Sequence, residues 1–118
     1  MAIEEHLKRI KQGVDAWNKW REENPNEIPD LSNADIRGYK LQKINLNNAN
    51  LKETKLQYSN LYEANLEKAD LSKAKLLETN LQSAKLKNAN LSGAGLLGSN
   101  LQFTDLENAK LEGAQFNE

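Results

Sequence analysis

The sequence lacks cysteine, has only two prolines and contains few aromatic residues (6%) among its 118 residues. Without cysteine there is no disulfide, no thiolate nucleophile and no zinc site built on sulfur. Charge of either sign is not in excess, with 16 basic and 17 acidic side chains, so the general electrostatic argument for nucleic acid or an anionic membrane as partner falls away. No apolar run approaches the roughly 18 residues of a membrane span. We therefore expect a soluble, cytoplasmic, single-domain protein with no nucleic-acid or membrane partner.

An apolar residue occurs at every fifth position from residue 31 to residue 116, eighteen times without a miss, and a small residue usually stands two positions earlier. On a helix, successive members of this set are rotated by about 140°, so they share no face. On a flat strand, an odd spacing sends them to opposite sides. All of them can face inward only if the chain turns a corner once per five residues. The predicted core is Leu31, Ile36, Leu41, Leu46, Leu51, Leu56, Leu61, Leu66, Leu71, Leu76, Leu81, Leu86, Leu91, Leu96, Leu101, Leu106, Leu111 and Phe116.

With corners near 90°, four pentapeptides close one coil of twenty residues, and the eighteen pentapeptides give about 4.5 coils. Residues twenty positions apart then stack at about 4.8 Å, the spacing of paired strands. Each coil buries its apolar residues against the next coil, so stability should grow with the number of neighbouring interfaces.

The pattern resembles the pentapeptide repeat family, whose motif reads A(D/N)LxX. The resemblance covers residues 29–118 and implies a mainly β fold, a right-handed quadrilateral parallel β-helix; the handedness comes from the resemblance alone. Lysines at 40, 55, 75, 85 and 110 stand where the family usually has Asp or Asn, and we expect the fold to tolerate them because that slot faces solvent or a corner. The copies that carry the resemblance are Ala49-Asn50-Leu51, Ala64-Asn65-Leu66, Ala69-Asp70-Leu71 and Ala89-Asn90-Leu91.

Residues 1–28 follow a different rule and are predicted to form a helical cap and a proline-bearing linker before the repeats at 29–118. Apolar residues from Ile3 to Trp17 recur at steps of four and three, which predicts one amphipathic helix over residues 2–23, ended by Asn24 before a proline. The layout is similar to that of cyanobacterial pentapeptide repeat proteins. The residues predicted to pack the cap onto a widened first coil are Leu7, Ile10, Val14, Trp17, Trp20, Tyr39 and Ile44.

The opposite end of the predicted solenoid has no second cap in the sequence. An open β edge over a leucine core is a pairing surface, so we expect a homodimer through the C-terminal end. The alternative is a frayed last coil on a monomer.

Three motifs that elsewhere carry chemistry have ordinary structural interpretations in this sequence. Residues 93–98 match GxGxxG, but no helical pattern follows to bind a phosphate. His6 has no second histidine or cysteine with which to hold a metal. Glu67, Lys87 and Glu107 stack as a ladder of alternating charge on a filled rod without a pocket. We predict no catalytic residue, no cofactor and no metal.

Outward-facing apolar residues are the remaining functional signal. Leu77 and Leu97 are twenty residues apart and should stack on one outer side, which indicates either a contact surface or incidental drift of the repeat. We predict a non-catalytic module that binds an unidentified protein, with a regulatory role in a cyanobacterium as an implication of the resemblance. The alternative is a DNA mimic that binds a topoisomerase such as gyrase, which 11 acidic and 11 basic side chains in residues 30–118 disfavour. The candidate contact residues are Leu77, Leu97, Tyr58, Tyr62 and Phe103.

Overall fold

The computed structural model describes residues 1–116, which form a short helical segment followed by a solenoid of five-residue units. Helix α1 spans Glu4–Ile10 and helix α2 spans Val14–Glu23. The single helix predicted over residues 2–23 is wrong. Gly13 has a φ of +104°, which residues with a side chain rarely adopt, and it separates the two helices.

The C-terminal end of α2 confirms the predicted stop. Asn24 caps the helix with a non-helical backbone, as expected for a residue that precedes a proline. Its backbone N–H and its side-chain Nδ2 both donate to the Trp20 carbonyl, each at 3.0 Å. The chain then leads directly into the first coil.

Parallel β-bridges join residues twenty positions apart, from Asp30–Asn50 to Gly95–Gln115. A coil therefore has twenty residues, four bridge positions and four sides. The pairing between coils agrees with the predicted β-helix, but within residues 1–116 each side contributes one isolated bridge residue rather than a continuous strand. The reason is that a turn interrupts the chain after every bridge.

Each side is named by its inward-facing apolar residues. The first side contains Leu31, Leu51, Leu71, Leu91 and Leu111, and the second side contains Ile36, Leu56, Leu76, Leu96 and Phe116. The third side contains Leu41, Leu61, Leu81 and Leu101, and the fourth side contains Leu46, Leu66, Leu86 and Leu106.

Three backbone hydrogen bonds per pentapeptide join each coil to the next. The Leu51 N–H donates to the Asp70 carbonyl at 2.7 Å, and the Glu53 N–H donates to the Ser72 carbonyl at 3.0 Å. In the other direction, the Asp70 N–H donates to the Ala49 carbonyl at 2.9 Å. This repeated interface makes the stability of the solenoid approximately a sum over neighbouring coils.

A tight turn forms each corner. In the turn that begins at Leu51, the Thr54 N–H donates back to the Leu51 carbonyl at 3.2 Å, and the third residue, Glu53, has a φ of +56°. A positive φ at the third residue is required by a type II turn. It recurs at every fifth residue from Asn33 to Gly113, and only four of these seventeen residues are glycine. Four more are asparagine, which tolerates this conformation. Because a left-handed backbone costs other residues about 1–2 kcal/mol, coil stacking must offset this strain at the remaining nine positions.

Fourteen of the eighteen predicted core residues, from Leu31 to Leu96, are at most 2% exposed. The last four differ, since Leu101, Leu106 and Leu111 are only partly buried and Phe116 is 40% exposed. Within residues 1–116 no further coil covers them. For the same reason, the backbone N–H groups of these three leucines have no partner among the described residues.

Three hydroxyl groups in the small inward slot, those of Thr54, Ser59 and Thr79, are buried but satisfied. Thr54 Oγ1 donates to the Leu31 carbonyl at 2.8 Å, and Thr79 Oγ1 donates to the Leu56 carbonyl at 2.9 Å. Ser59 Oγ bonds the same Leu56 carbonyl at 2.7 Å. These bonds explain why threonine and serine replace alanine without the cost of an unpaired buried group.

The helices lie on the N-terminal edge of the first coil and supply hydrogen bonds that a preceding coil would otherwise supply. The Asn45 carbonyl accepts from Trp17 Nε1 at 2.7 Å and from Arg21 Nη1 at 2.9 Å. The Asn45 N–H donates to Asn18 Oδ1 at 2.8 Å. Side chains of α2 therefore satisfy both backbone groups of a bridge residue on the fourth side.

Asp30, the first bridge residue, is satisfied in the same way by the N-terminal segment. Its N–H donates to His6 Nδ1 at 3.0 Å, and its carbonyl accepts from the Ile3 N–H at 3.0 Å. His6 is 4% exposed and its ring lies 5.0 Å from that of Trp20. The single histidine is thus part of the contact between cap and coil.

Arg21 is buried without an ion pair among residues 1–116. Its Nη2 donates to the Asn47 carbonyl at 2.9 Å, so two carbonyls of the coil edge hold the guanidinium. Burial lowers the pKa of Arg21 from its ordinary value. Of the predicted cap-packing residues, the structure buries Ile10, Trp17, Trp20 and Ile44 and partly buries Leu7, Val14 and Tyr39.

The Asn or Asp that precedes each core residue has a local role that spacing alone did not reveal. Asn60 Oδ1, for example, accepts from the Tyr62 N–H at 3.0 Å, and Asn80 Oδ1 accepts from the Gln82 N–H at 3.0 Å. That N–H takes no part in the bonds between coils, so the side chain satisfies it as an Asx turn. A lysine in this slot cannot accept a hydrogen bond, and each of the five lysines leaves this local bond unmade.

We expect Lys55→Asn to raise the free energy of unfolding by about 1 kcal/mol, the typical net value of a hydrogen bond. The new side chain can accept from the Gln57 N–H. The substitution also removes the repulsion from Lys75 and the attraction to Asp35, the two bridge partners of Lys55, so these charge effects partly cancel. Thermal unfolding followed by circular dichroism should show a rise of about 4 °C.

Lys55→Gln is the matched control, because it removes the same charge while its longer side chain does not form the short Asx turn. We expect it to produce clearly less than the rise of Lys55→Asn. Equal rises in the two variants would mean that charge repulsion alone is responsible.

Candidate interaction surface

Two exposed leucines stack on the outside of the second side. Leu77 is 36% exposed and Leu97 is 45% exposed, and each directly follows a buried core residue. The Glu78 N–H donates to the Leu97 carbonyl at 2.8 Å, which places the two leucines in register in adjacent coils. They form a short apolar stripe on an otherwise polar side.

A shallow depression of about 230 Å³ lies beside this stripe. Gly95 forms part of its floor, and a Cβ added there would meet no atom within 4 Å, so the missing side chain leaves open space. Gln57 lines another part, and its Oε1 is buried without a hydrogen-bond partner among residues 1–116. The depression is lined by Gln57, Lys75, Leu77, Gly95, Leu97 and Gln115.

Gly95 also belongs to the GxGxxG match at residues 93–98, and the structure places the three glycines in different roles. Gly93 and Gly98 are corner residues with φ of +70° and +72°, whereas Gly95 is a bridge residue of the second side. Residues 99–116 continue the repeat without a helix. The match therefore lacks the strand-to-helix turn on which dinucleotide binding depends.

Tyr58 lies at the corner next to the leucines. It is 60% exposed, and its N–H donates to the Leu77 carbonyl at 3.0 Å. Tyr62 and Phe103 belong to the third side and its far corner, so the structure does not bring them to the leucine stripe. Tyr62 is partly buried, whereas Phe103 is 83% exposed.

Some charged side chains of the second side form an ion pair, and others form no salt bridge among the described residues. Arg37 donates to both carboxylate oxygens of Asp35, at 2.8 and 2.7 Å. These bonds lower the pKa of Asp35 and raise the pKa of Arg37. Further along the same side, Lys55 and Lys75 have no salt bridge within residues 1–116.

Asx turns support the other sides more fully than the second side. The third side has Asn60, Asn80 and Asn100 in the slot before the core residue, and each accepts a backbone N–H. On the second side, as far as residue 116, only Asp35 does so. The remaining residues in that slot are Lys55, Lys75, Gly95 and Gln115.

The other charged candidates do not form a chemical site in the described residues. Lys87 Nζ lies 3.8 Å from Glu107 Oε1, as the predicted charge ladder on the fourth side implies, and both side chains are well exposed. No group of three or more His, Asp or Glu side chains within residues 1–116 is arranged to hold a metal ion. Neither helix in this part of the chain has the length and apolar character to cross a lipid bilayer.

The stacked coils of twenty residues define a parallel β-helix solenoid, and the sequence match identifies which kind. The family model for pentapeptide repeats matches residues 30–67 and 59–96, in eight copies. These matches cover more than half of the chain, so the protein belongs to the pentapeptide repeat family. No curated protein matches the chain.

Solved structures of the same family are similar to this chain. Rfr23, a pentapeptide repeat protein from the cyanobacterium Cyanothece 51142, is 34% identical with a TM-score of 0.77, and the match covers 78% of this chain and 63% of Rfr23. A pentapeptide repeat protein from the thylakoid lumen of Arabidopsis thaliana is 25% identical with a TM-score of 0.55, over 75% of this chain and 62% of that one. The chain therefore spans less than two thirds of the length of either relative.

Proposed function

We propose that this protein is a non-catalytic module that binds another protein through the second side of the solenoid, at the depression beside Leu77 and Leu97. Pentapeptide repeat proteins are generally structural or interaction modules rather than enzymes. We also propose that the solenoid is a right-handed quadrilateral β-helix of about 4.5 coils, as the family resemblance implies.

Several residues that depart from the repeat pattern lie together on the second side, and this clustering is the observation that supports the proposal. The slot that elsewhere holds Asn or Asp contains Lys55, Lys75 and Gly95 in three consecutive coils. Beside it, Leu77 and Leu97 occupy outward positions and remain more than a third exposed. Natural sequences tend to break local folding rules at functional sites, where binding compensates for lost stability.

The flat surface of the solenoid suits a protein partner better than a small molecule. The depression is shallow and smaller than the roughly 300–1,000 Å³ of typical ligand pockets. Its apolar centre and polar rim are the arrangement found in the core of a protein interface.

The test is affinity capture from the native cell with the protein and a Leu77→Asp, Leu97→Asp variant as baits. A buried charge at an interface centre is strongly unfavourable, so we expect the double variant to lose the captured partner. The matched control is Gln82→Asp, Gln102→Asp, which places the same charges at equivalent positions of the third side in the same two coils. Circular dichroism of all three proteins checks that the fold is retained. If both variants recover the same proteins as the parent, the second side is not the contact surface.

A further inference from the structure

Three lysines border the exposed leucines along one edge of the second side. Lys55 and Lys75 are bridge partners in adjacent coils, and Lys73 stands at the corner just before Lys75. The Lys73 side chain extends over the next coil, since its Cγ would lie 3.3 Å from a Cβ added at Gly93. From residue 53 to residue 75 this edge carries a single carboxylate, that of Glu53, so its net charge is positive.

These lysines are unfavourable for the isolated fold. Like charges that face each other across paired backbones are destabilising, and Lys55 and Lys75 do so directly. Both also occupy the slot in which Asn or Asp would bond a backbone N–H. Asp35, the other bridge partner of Lys55, offsets part of this cost, since the lysine charge contributes to the lowered pKa of Asp35. None of the three lysines has a carboxylate oxygen within 4.0 Å among residues 1–116, so no close ion pair holds them.

Across the stripe, the opposite edge has a different character. Tyr58 is 60% exposed there, and Glu78 lies in the next coil at the same corner position. The surface is therefore ordered as a basic edge, an apolar centre and an edge that carries an aromatic ring and one carboxylate. This order gives a bound segment a defined orientation, because only one of its flanks meets the lysines.

We propose that the partner segment is an acidic peptide. One of its apolar side chains fills the depression at Gly95, between Leu77 and Leu97, and its carboxylates pair with Lys55, Lys73 and Lys75. This inference rests on the proposed function and adds the chemistry of the partner to it. Charge complementarity favours an acidic segment, and the apolar centre favours a peptide over nucleic acid, whose phosphates would leave the leucines uncovered.

A peptide titration followed by amide chemical shifts in NMR tests the proposal with a defined probe. The probe is a short, acetylated and amidated peptide with a central leucine flanked by glutamates, added up to about 2 mM to detect weak binding. We expect shifts that saturate and that centre on Leu77, Gly95 and Leu97. Two control peptides, one with serine for leucine and one with lysines for glutamates, should each bind at least about tenfold more weakly.

Charge reversal in the protein separates specific pairing from general attraction. Lys55→Glu, Lys75→Glu should weaken binding of the acidic peptide at least about tenfold and favour the lysine peptide. The matched control is Lys85→Glu, Lys110→Glu, which changes the net charge equally at the same slot on the fourth and first sides and should leave binding nearly unchanged. Equal weakening by both pairs, or the absence of saturable shifts on the second side, would overturn the inference.

The same variants also distinguish this inference from the proposed function. If affinity capture depends on Leu77 and Leu97 but not on Lys55 and Lys75, the interaction module stands and the acidic partner is wrong. Saturable binding of a DNA duplex to the lysine edge at physiological salt would mean that nucleic acid occupies this surface instead of an acidic peptide. Peptide-induced shifts that disappear when a self-associated protein is diluted would mean that a second copy of the chain occupies it.

Discussion

Trp17→Ala is expected to lower the free energy of unfolding by about 3–5 kcal/mol, the usual cost of removing a large buried aromatic side chain. Trp17 is fully buried, and its ring lies 5.1 Å from that of Trp20 within the contact between cap and first coil. The variant also loses the hydrogen bond from Nε1 to the Asn45 carbonyl. Urea unfolding followed by circular dichroism measures the loss as a lower midpoint.

Trp17→Phe separates the packing of the ring from its hydrogen bond. Phenylalanine retains most of the apolar contact, and the Asn45 carbonyl still accepts from Arg21, so we expect a loss of about 1 kcal/mol. If Trp17→Ala were no more destabilising than Trp17→Phe, the helices would contribute little to the stability of the first coil.

Trp17 matters because of what the helices provide to the coil. Every later coil receives backbone hydrogen bonds from the coil before it. At two of its four bridge residues, Asp30 and Asn45, the first coil receives such bonds from side chains of α2 and from the segment around His6. In a solenoid whose stability is a sum over interfaces, loss of this first interface exposes the leucine core at one end. Hydrogen exchange should therefore increase in Trp17→Ala first for the amides of the first coil.

The five-residue period was sufficient to predict the core and the pairing of residues twenty positions apart. This succeeded because the pattern is repeated eighteen times and each copy has the same requirement, one apolar side chain on the axis. The cap was predicted only in outline. Gly13 divides the predicted helix because its positive φ interrupts the helical backbone. The spacing of apolar residues does not reveal an interruption shorter than one helical turn.

The hydrogen-bonding roles of His6, Asn18 and Arg21 were not predictable from spacing. Each contacts a coil residue 24 to 27 positions away, and a polar side chain on a helix carries no local signal that it faces a carbonyl of another element. The left-handed turn residues were missed for a related reason. Tyr58 and Phe103 have φ of +64° and +60° where sequence preference favours glycine or asparagine, so the coil imposes the turn and local propensity does not.

The candidate surface was predicted in part. Leu77 and Leu97 were identified from their twenty-residue separation, because any two outward residues at that spacing must stack. The depression at Gly95 and the lysine edge could not be predicted from spacing, because glycine and lysine are unusual there only in relation to the hydrogen bond that Asn or Asp makes in the same slot. The exposed leucines, the glycine at position 95 and the lysine edge are each a minor departure from the repeat. They become informative because all three lie on the second side.

Leu66→Ala, a substitution in the middle of the solenoid axis, is expected to lower the free energy of unfolding by about 2.7–5 kcal/mol. Leu66 is fully buried between the coils that precede and follow it. Leu106 occupies the same slot of the fourth side two coils later and is only partly buried, so Leu106→Ala should cost less than half as much. Urea unfolding of both variants at equal protein concentration measures the difference. Equal losses would mean that the last described coil is covered in solution, as it would be in a homodimer through the C-terminal end, and the loss in Leu106→Ala would then diminish on dilution.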